Sequence, residues 1–289
     1  MISEHLRSLR LAGWLGWQLE SNWTEPWLFA VYVLIKPFCS SLLLVFMYYA
    51  ARTATGVVPL EFLPYLYVSN ACFGLVGAVM YGMSQAVISD REHYRMLKYI
   101  YISPARLPSY FIGRGMARAV QALLGAAINL SLGYAIFPEV RAAVRLEYVA
   151  WGWLLVNIVL GVCMLIALGL LLAGVVLNMS RYGSFLGESV ASVLFLLSGA
   201  VFPLSVLPGW LQGIGLSLPP TYWLEAMRRA ILGTPAEVIR SPLAHWSQAD
   251  LAGMLAVTTA GLLVVSLLVF HLSERAAWRR GRLEETTGV

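Results

Sequence analysis

The sequence predicts an all-α membrane protein with six transmembrane helices. Of its 289 residues, 59% are hydrophobic and only 12% are charged, and the mean hydropathy is +0.73. An average soluble domain is about half apolar and about a quarter charged. The apolar residues also form long segments, and a helix needs roughly 20 of them to cross the hydrocarbon core of a bilayer. Composition and segment length together exclude an ordinary soluble fold.

Six segments are long and apolar enough to be spans. They are residues 27–50, 62–88, 117–137, a stretch within 148–180, 187–202 and 251–271. An even number of spans places both termini on one side. With a cytoplasmic N-terminus, thirteen arginines and lysines lie inside and six lie outside, which follows the positive-inside rule. We therefore expect a multi-pass protein of the inner (plasma) membrane with both termini in the cytoplasm.

Two flanking segments complete a single transmembrane domain over residues 1–289. Residues 1–24 carry apolar side chains, tryptophans and charges in an imperfect amphipathic pattern, which predicts an interfacial helix on the inner leaflet. Residues 274–289 hold four arginines and then two glutamates, which predicts a solvated cytoplasmic tail. The net charge of +5 is expected to set orientation and to contact membrane lipid, and no nucleic-acid partner is predicted.

A charged segment, residues 89–98, separates the second and third spans. Ser89 and Glu92 match the spacing of a capping box, so a helix is predicted to begin at Ser89 and to end before Pro104. Its apolar edge is expected to rest on neighbouring helix ends and comprises Tyr94, Leu97 and Tyr101. Its exposed edge is expected to present Arg91, Arg95 and Lys98. From physical chemistry alone, a solvated loop helix and a docking helix fit this segment equally well.

The fifth span is followed by a proline-broken segment. No charge occurs between Ser189 and Leu224, yet four prolines interrupt this stretch, so a single straight helix is excluded. We expect a membrane helix over 187–202 and then re-entrant half-helices over 203–228. Irregular backbone at membrane depth requires surrounding protein or a water-filled cavity, which indicates a pathway.

Polar and small residues inside the spans leave several alternatives open. Lys36 is a candidate for the pathway, or it snorkels to the inner headgroups. Glu188 is the only acid near a span interior. Three small residues, Gly74, Ala78 and Gly82, form a ridge that packs within the subunit or across a dimer.

The charged segment resembles the cytoplasmic loop of ABC-2-type transporter permeases. Asp90-Arg91-Glu92 matches its charged start, Met96-Leu97 its apolar step and Ser103-Pro104 its close, whereas Tyr94-Arg95 stands where a Gly-Thr pair is common. The proline-broken segment is similar to the C-terminal signature of the same family. The matching residues are Phe202-Pro203-Leu204-Ser205, Pro208, Trp210-Leu211, Pro219, Thr221-Tyr222, Glu225-Ala226 and Arg228.

The resemblance implies that residues 89–103 form the coupling helix, which docks on an ATP-binding subunit. The residues expected to couple the two subunits are Asp90, Arg91, Glu92, His93, Tyr94, Arg95, Met96 and Leu97. It also implies that the re-entrant segment forms the outer side of the translocation path. The residues expected along the path or at its gate are Phe202, Pro203, Pro208, Trp210, Pro219, Thr221, Tyr222 and Lys36. An aromatic belt at the interface is the alternative for Trp210, Tyr222 and Trp223.

The chain carries no P-loop, because no Gly-Lys pair occurs in it. No catalytic residue, cofactor or metal ligand is predicted, and its three cysteines lie apart within apolar segments. ATP and magnesium are therefore expected on a partner ATPase present in two copies. A second permease subunit is also expected, most simply as a homodimer, although a heterodimer fits as well.

The resulting expectation is a permease subunit that exports a hydrophobic or amphiphilic, drug-like or lipid-like substrate. A permease for polysaccharides or glycolipids is the alternative within the family. An intramembrane enzyme would need a nucleophile, a histidine dyad or a carboxylate pair at membrane depth, and His271 has no evident partner. An ion-coupled secondary transporter would need an internal repeat and buried carboxylates, and neither is evident.

Overall fold

The computed structural model of the protein describes residues 2–21, 26–103, 107–179, 183–233 and 241–281. Within these ranges every regular element is helical and no strand occurs, which confirms the all-α class. The α-helices are α1 (Ile2–Ser21), α2 (Pro26–Thr55), α3 (Phe62–Ile88), α4 (Leu97–Ile102), α5 (Leu107–Ile136), α6 (Pro138–Ala143), α7 (Trp151–Leu177), α8 (Gly183–Leu197), α9 (Gly209–Ser217), α10 (Pro219–Leu232) and α11 (Gln248–Arg279). A π-helical turn (Ser89–His93) follows α3, and a 3-10 turn (Leu204–Val206) precedes α9.

Four helices of the described chain are long and apolar enough to cross a membrane. They are α3 with its continuation to His93, α5, α7 and α11. The first predicted span corresponds to α2, which has 30 residues, and the fifth corresponds to the shorter α8, with 15 residues. The six-span topology therefore stays a prediction, of which four spans have a matching helix of sufficient length and hydropathy.

Helix α3 lies at the centre of the bundle, and most of its side chains are buried. The fully buried side chain of Met83 packs between Gly115 of α5 and Gly169 of α7. A methyl group at either glycine would overlap the Met83 sulfur, so the two helices approach α3 closely only because these positions carry no side chain. Helix α3 is thereby fixed between α5 and α7.

Helix α1 packs on α5 through small residues. A β-carbon at Gly16 would lie 3.2 Å from the β-carbon of Ala117, and one at Gly113 would overlap Ala12. The opposite side of α1 leaves Trp14 exposed to 63%. The predicted N-terminal helix is thus present, with one side against α5 and an apolar, exposed side that suits an interface.

Several helix boundaries differ from the expected ones. Helix α5 begins at Leu107, ten residues earlier than expected, and it therefore includes Arg114, which lies outside the predicted span. Helix α11 runs through Glu274 to Arg279, into the segment expected to be a solvated tail. Helix α8 ends at Leu197 rather than near Phe202. The charge of Arg114 does not exclude this residue from α5, because its guanidinium pairs with the buried carboxylate of Asp90.

Candidate coupling and gating sites

The charged segment does not begin a new helix at Ser89, so the predicted capping box is wrong. The backbone N–H of Ser89 donates to the carbonyls of Gln85 and Ala86, which continues the hydrogen bonding of α3. The chain then forms the π-helical turn without a side-chain cap. It reverses at Arg95, whose φ of 50° is the only left-handed value at a non-glycine residue in the described ranges. Helix α4 starts only at Leu97.

Asp90 faces inward and is fully buried. The hydroxyl of Tyr110 donates to Asp90 Oδ2 at 2.9 Å, and Arg114 Nη1 donates to Asp90 Oδ1 at 3.2 Å. Arg114 is also buried, and its Nη1 lies 3.3 Å from the Tyr110 hydroxyl. This triad joins the charged segment to the first turns of α5. Breaking one partner out of such a buried pair is strongly destabilising, since it leaves an uncompensated charge.

Arg91 is buried as well, which corrects its expected place on the exposed edge. Its Nη1 donates to the backbone carbonyl of Met179 at 2.9 Å, and its Nη2 lies 3.1 Å from Glu92 Oε1. Met179 follows the end of α7. The charged segment is therefore tied to α5 by Asp90 and to the end of α7 by Arg91.

Six neighbouring side chains of this segment face outward, and we call them the coupling surface. They are His93, Tyr94, Arg95, Lys98, Tyr99 and Ile102. The ammonium of Lys98 lies 5.4 Å from the centre of the Tyr99 ring, within the range of a cation–π contact. The surface combines basic groups with large apolar ones.

Inward-facing side chains of the same segment hold α4 in place. Leu97 is buried and Tyr101 packs against the core, as expected, whereas Tyr94 is 52% exposed and does not rest on the helix ends. Met96 is half-buried. Pro104, the last residue of the motif, lies outside the described residues.

The candidate gating site is the proline-broken segment, and prolines begin its short helices. Pro208 is the N-cap of α9, and Pro219 and Pro220 occupy the first turn of α10, where a missing backbone N–H leaves no bond unmade. Thr221 Oγ1 donates to the carbonyl of Gly215 at 2.6 Å, and the Tyr222 hydroxyl donates to that of Leu216 at 2.6 Å. These bonds close the turn between α9 and α10.

Helix α10 is buried along almost its whole length and carries a charged cluster. Glu225 Oε2 lies 2.7 Å from Arg228 Nη2, and its Oε1 lies 3.0 Å from Arg229 Nε. Arg229 also donates to the backbone carbonyls of Leu243 and Trp246. One carboxylate and several carbonyl oxygens thus accommodate two buried guanidinium groups.

Arg228 connects α10 to α3 and to the end of α8. Its Nη1 donates to Ser69 Oγ at 3.0 Å and to the carbonyl of Gly199 at 2.9 Å. Its guanidinium carbon lies 4.4 Å from the centre of the Tyr65 ring. The Tyr65 hydroxyl donates to the same Gly199 carbonyl at 3.0 Å. The sequence predicted Arg228 at the outer end of the re-entrant segment, and its spacing from Glu225 suits an ion pair on one helix face.

The residues expected at the gate fall into two groups. Trp210 is 70% exposed and Pro208 is also exposed, while Phe202 and Pro203 are half-buried. The buried group is Pro219, Thr221 and Tyr222. The side chain of Lys36 lies outside the described part of the chain.

Trp223 and Tyr222 do not belong to an aromatic belt, because protein surrounds both. The Trp223 indole N–H donates to the backbone carbonyl of Asn157 at 2.9 Å, against Gly161, where a methyl group would overlap the indole. Of the three aromatic residues considered for the belt, Trp210 alone is exposed. Helix α10 is therefore locked against α7 as well as α3.

Polar side chains on α2, α3 and α5 form hydrogen bonds with one another inside the bundle. Ser41 Oγ accepts from the side-chain amides of Asn70 and Asn129, both at 2.9 Å. The Tyr67 hydroxyl donates to the backbone carbonyl and to the side-chain oxygen of Asn129. These amides bond neighbouring helices. In the described ranges, no group of three or more His, Cys, Asp or Glu residues is placed to hold a metal ion.

The chain is similar to one family model and to permease proteins of one bacterial species. The family model described as "ABC-2 type transporter" matches residues 14–232, which include both sites. The chain is 26% identical over 205 residues to the "Probable doxorubicin resistance ABC transporter permease protein DrrC" of Mycobacterium tuberculosis, from strains CDC 1551 / Oshkosh and ATCC 25618 / H37Rv. Each match covers 70% of this chain and 67% of the relative.

Proposed function

Because the chain belongs to the ABC-2 type transporter family, we propose that it is the permease subunit of an exporter driven by a separate ABC ATPase. A membrane subunit of this family is a transport component that works with an ABC ATPase and is not itself the ATPase. We propose two ATPase copies and a second permease subunit, most simply a second copy of this chain. ATP and magnesium then bind to the ATPase, and the permease contributes the conformational change and the translocation path for the substrate.

The observation that carries this proposal is the coupling surface together with the buried contacts of Asp90 and Arg91, which we call its buried support. Exposed Tyr99 and Ile102 are poor side chains for a merely solvated loop, since a solvated helix gains nothing from apolar groups at 62% and 78% exposure. They suit a partner groove that buries aromatic and apolar anchors and offers acidic groups to Arg95 and Lys98.

The buried support makes the surface suitable for transmitting force. Asp90 and Arg91 do not dock, because both are buried, and they instead fix the segment to α5 and α7. A partner that pushes on the coupling surface therefore moves the inner ends of these helices rather than bending a loop. Helix α3 continues from the charged segment to Ser69 and Tyr65, which hold α10.

Orientation supports a cytoplasmic position for the coupling surface. Arg91 and Arg114 on the inner side and Arg228 and Arg229 on the outer side are buried. Without these four, eleven basic residues lie inside and four lie outside, so the bias remains. We place the chain in the inner (plasma) membrane with both termini in the cytoplasm.

The proposed substrate is a hydrophobic or amphiphilic, drug-like or lipid-like molecule. The relatives named for doxorubicin resistance support the drug-exporting branch over the glycan-exporting one. The outer gate is proposed at α9 and α10, whose prolines allow short helices to move as separate units.

Copurification tests the proposal. The full chain, tagged and extracted gently from its native host, should retain an ATPase, and an ATPase-free preparation would contradict the proposal. Arg95→Ala combined with Tyr99→Ala should reduce the retained ATPase at least tenfold. Arg279→Ala is the matched control, because it removes a basic group from the exposed inner end of α11. Equal retention by the double variant and the control would show that the coupling surface does not dock.

A further inference from the structure

Helix α8 carries an ionisable group on a face that the chain does not cover. Glu188 is exposed, and among the described residues its carboxylate makes no ion pair or hydrogen bond. The same face exposes Ser192, whose hydroxyl donates to the backbone carbonyl of Glu188 at 2.9 Å. Ionisable side chains within membrane helices are rare and almost always face a partner or a water-filled cavity, because hydrocarbon does not solvate them.

Glu188 lies inside the predicted fifth span. Helix α8 begins at Gly183, so Glu188 lies about 8 Å along its axis at 1.5 Å per residue. The neighbouring Gly187 packs against α3, where a β-carbon would lie 3.3 Å from Tyr81 Cδ2. Tyr81 precedes the end of α3 by seven residues, which is about 10 Å. Glu188 thus directly follows a residue that packs against Tyr81.

Helix α3 exposes one narrow stripe, and this stripe adjoins the exposed face of α8. It contains Gly74 and Ala78, followed by Tyr81 at 36% exposure. No atom lies within 4 Å of a β-carbon placed on Gly74, whereas one on Gly82 would lie 2.8 Å from Arg118 Nε. The predicted small-residue ridge is therefore divided. Gly82 packs within the subunit, whereas Gly74 and Ala78 are exposed beside α8.

We propose that this exposed surface of α3 and α8, which we call the α3/α8 face, binds the cationic headgroup of an amphiphilic substrate at Glu188. The carboxylate supplies the charge that a cation requires, and the exposed ring of Tyr81 offers a cation–π contact beside it. The small residues of α3 leave the helix surface open to an apolar tail that lies along this face. This inference rests on the proposed function and names its substrate class.

Contact with a second copy of the chain does not by itself supply the Glu188 carboxylate with a positive charge. A two-fold axis that brings two α3/α8 faces together also brings two Glu188 carboxylates toward one another. Like charges in a low-dielectric site repel strongly, so such an arrangement increases the demand for a cation between the subunits. Charge complementarity therefore favours a cationic ligand over direct contact between copies.

Binding of a lipophilic cation to the purified full chain tests the inference without any ATPase. The probe is labelled tetraphenylphosphonium, measured by equilibrium dialysis with the protein in zwitterionic-lipid nanodiscs. Triphenylphosphine oxide, which is of similar shape and carries no net charge, should not compete. We expect saturable binding that Glu188→Gln weakens at least tenfold. Glu147→Gln, which removes the same charge from an exposed loop position, should bind like the wild type.

The outcomes separate this inference from the proposed function. An unchanged affinity in Glu188→Gln, or no saturable binding by the wild type, overturns the inference even if an ATPase copurifies. Loss of a dimer in Glu188→Gln, without cation binding by the wild type, makes the α3/α8 face a contact between copies and also overturns it. Cation binding through Glu188 without any copurifying ATPase supports the inference and contradicts the coupling proposal alone.

Discussion

The guanidinium of Arg114 and the carboxylate of Asp90 lie 3.2 Å apart with their side chains 4% and 0% exposed. One belongs to α5 and the other to the π-helical turn after α3, so the pair joins two helices at the base of the coupling surface. The Tyr110 hydroxyl satisfies the second carboxylate oxygen. These contacts fix the charged segment to α5, and in the proposed function they would carry its movement to that helix.

Removal of Asp90 should therefore destabilise the protein more than removal of its neighbour. Asp90→Ala removes the carboxylate that faces the buried guanidinium of Arg114, and losing one member of a buried ion pair typically costs about 3–5 kcal/mol. Glu92→Ala should cost less, because Glu92 is partly exposed and Arg91 keeps its hydrogen bond to the Met179 carbonyl. Thermal unfolding in detergent measures both. The double variant Asp90→Ala/Arg114→Met should regain much of the lost stability, and no recovery would argue against the pair.

Arg228 should not tolerate replacement by lysine. The guanidinium contacts Glu225, Ser69 and the Gly199 carbonyl together, and a single ammonium does not reproduce this fork. We expect Arg228→Lys to lower the free energy of unfolding by about 2 kcal/mol. The control is Arg279→Lys, at an exposed site at the end of α11, which should change it by less than about 0.5 kcal/mol. Equal stability of the two variants would contradict the proposed role of Arg228.

Gly161 should be intolerant of a methyl group, because Trp223 occupies the space. Gly161→Ala forces the indole or the helix to shift, and overpacking of this kind typically costs about 1–3 kcal/mol. Gly152→Ala, on the same helix with nothing within 4 Å of its added β-carbon, is the matched control. Tryptophan fluorescence during unfolding follows both, and a neutral Gly161→Ala would mean that α7 and α10 separate easily.

The two capping-box patterns of this chain should behave differently. Ser247 and Asp250 form a real capping box at the start of α11, with Ser247 Oγ accepting from the Asp250 backbone N–H at 3.2 Å. Ser247→Ala should cost about 1 kcal/mol. Ser89→Ala should be nearly neutral, because Ser89 continues α3 instead of capping a helix. Thermal unfolding of the two variants distinguishes a capping box that forms from a sequence that only has its spacing. A larger loss of stability in Ser89→Ala than in Ser247→Ala would contradict this assignment.

The helices were predictable from the sequence because apolar length and proline positions are local signals. The charged segment and the breaks at Pro208 and Pro219 were predictable for the same reason. The inward orientation of Asp90 was not, since that orientation depends on Tyr110 and Arg114, which lie 20 and 24 residues away. Glu225 and Arg228 were predicted as part of the family signature, but the burial of Arg228 and Arg229 against Glu225 was not. The spacing of Glu225 with both arginines was the available signal.

The spacing of Glu225 from Arg228 and Arg229 has a consequence for the synthesis and membrane insertion of α10. Glu225 precedes its two arginines by three and four residues, so the three groups come together as soon as one helical turn forms. Helix α10 therefore carries its own counter-ion when it leaves the ribosome, before Ser69 and Gly199 can reach it. A segment that enters the translocon in this state presents a net charge of one rather than three separate ions. The order of residues along the chain thus eases insertion of a charged helix that the finished bundle later encloses.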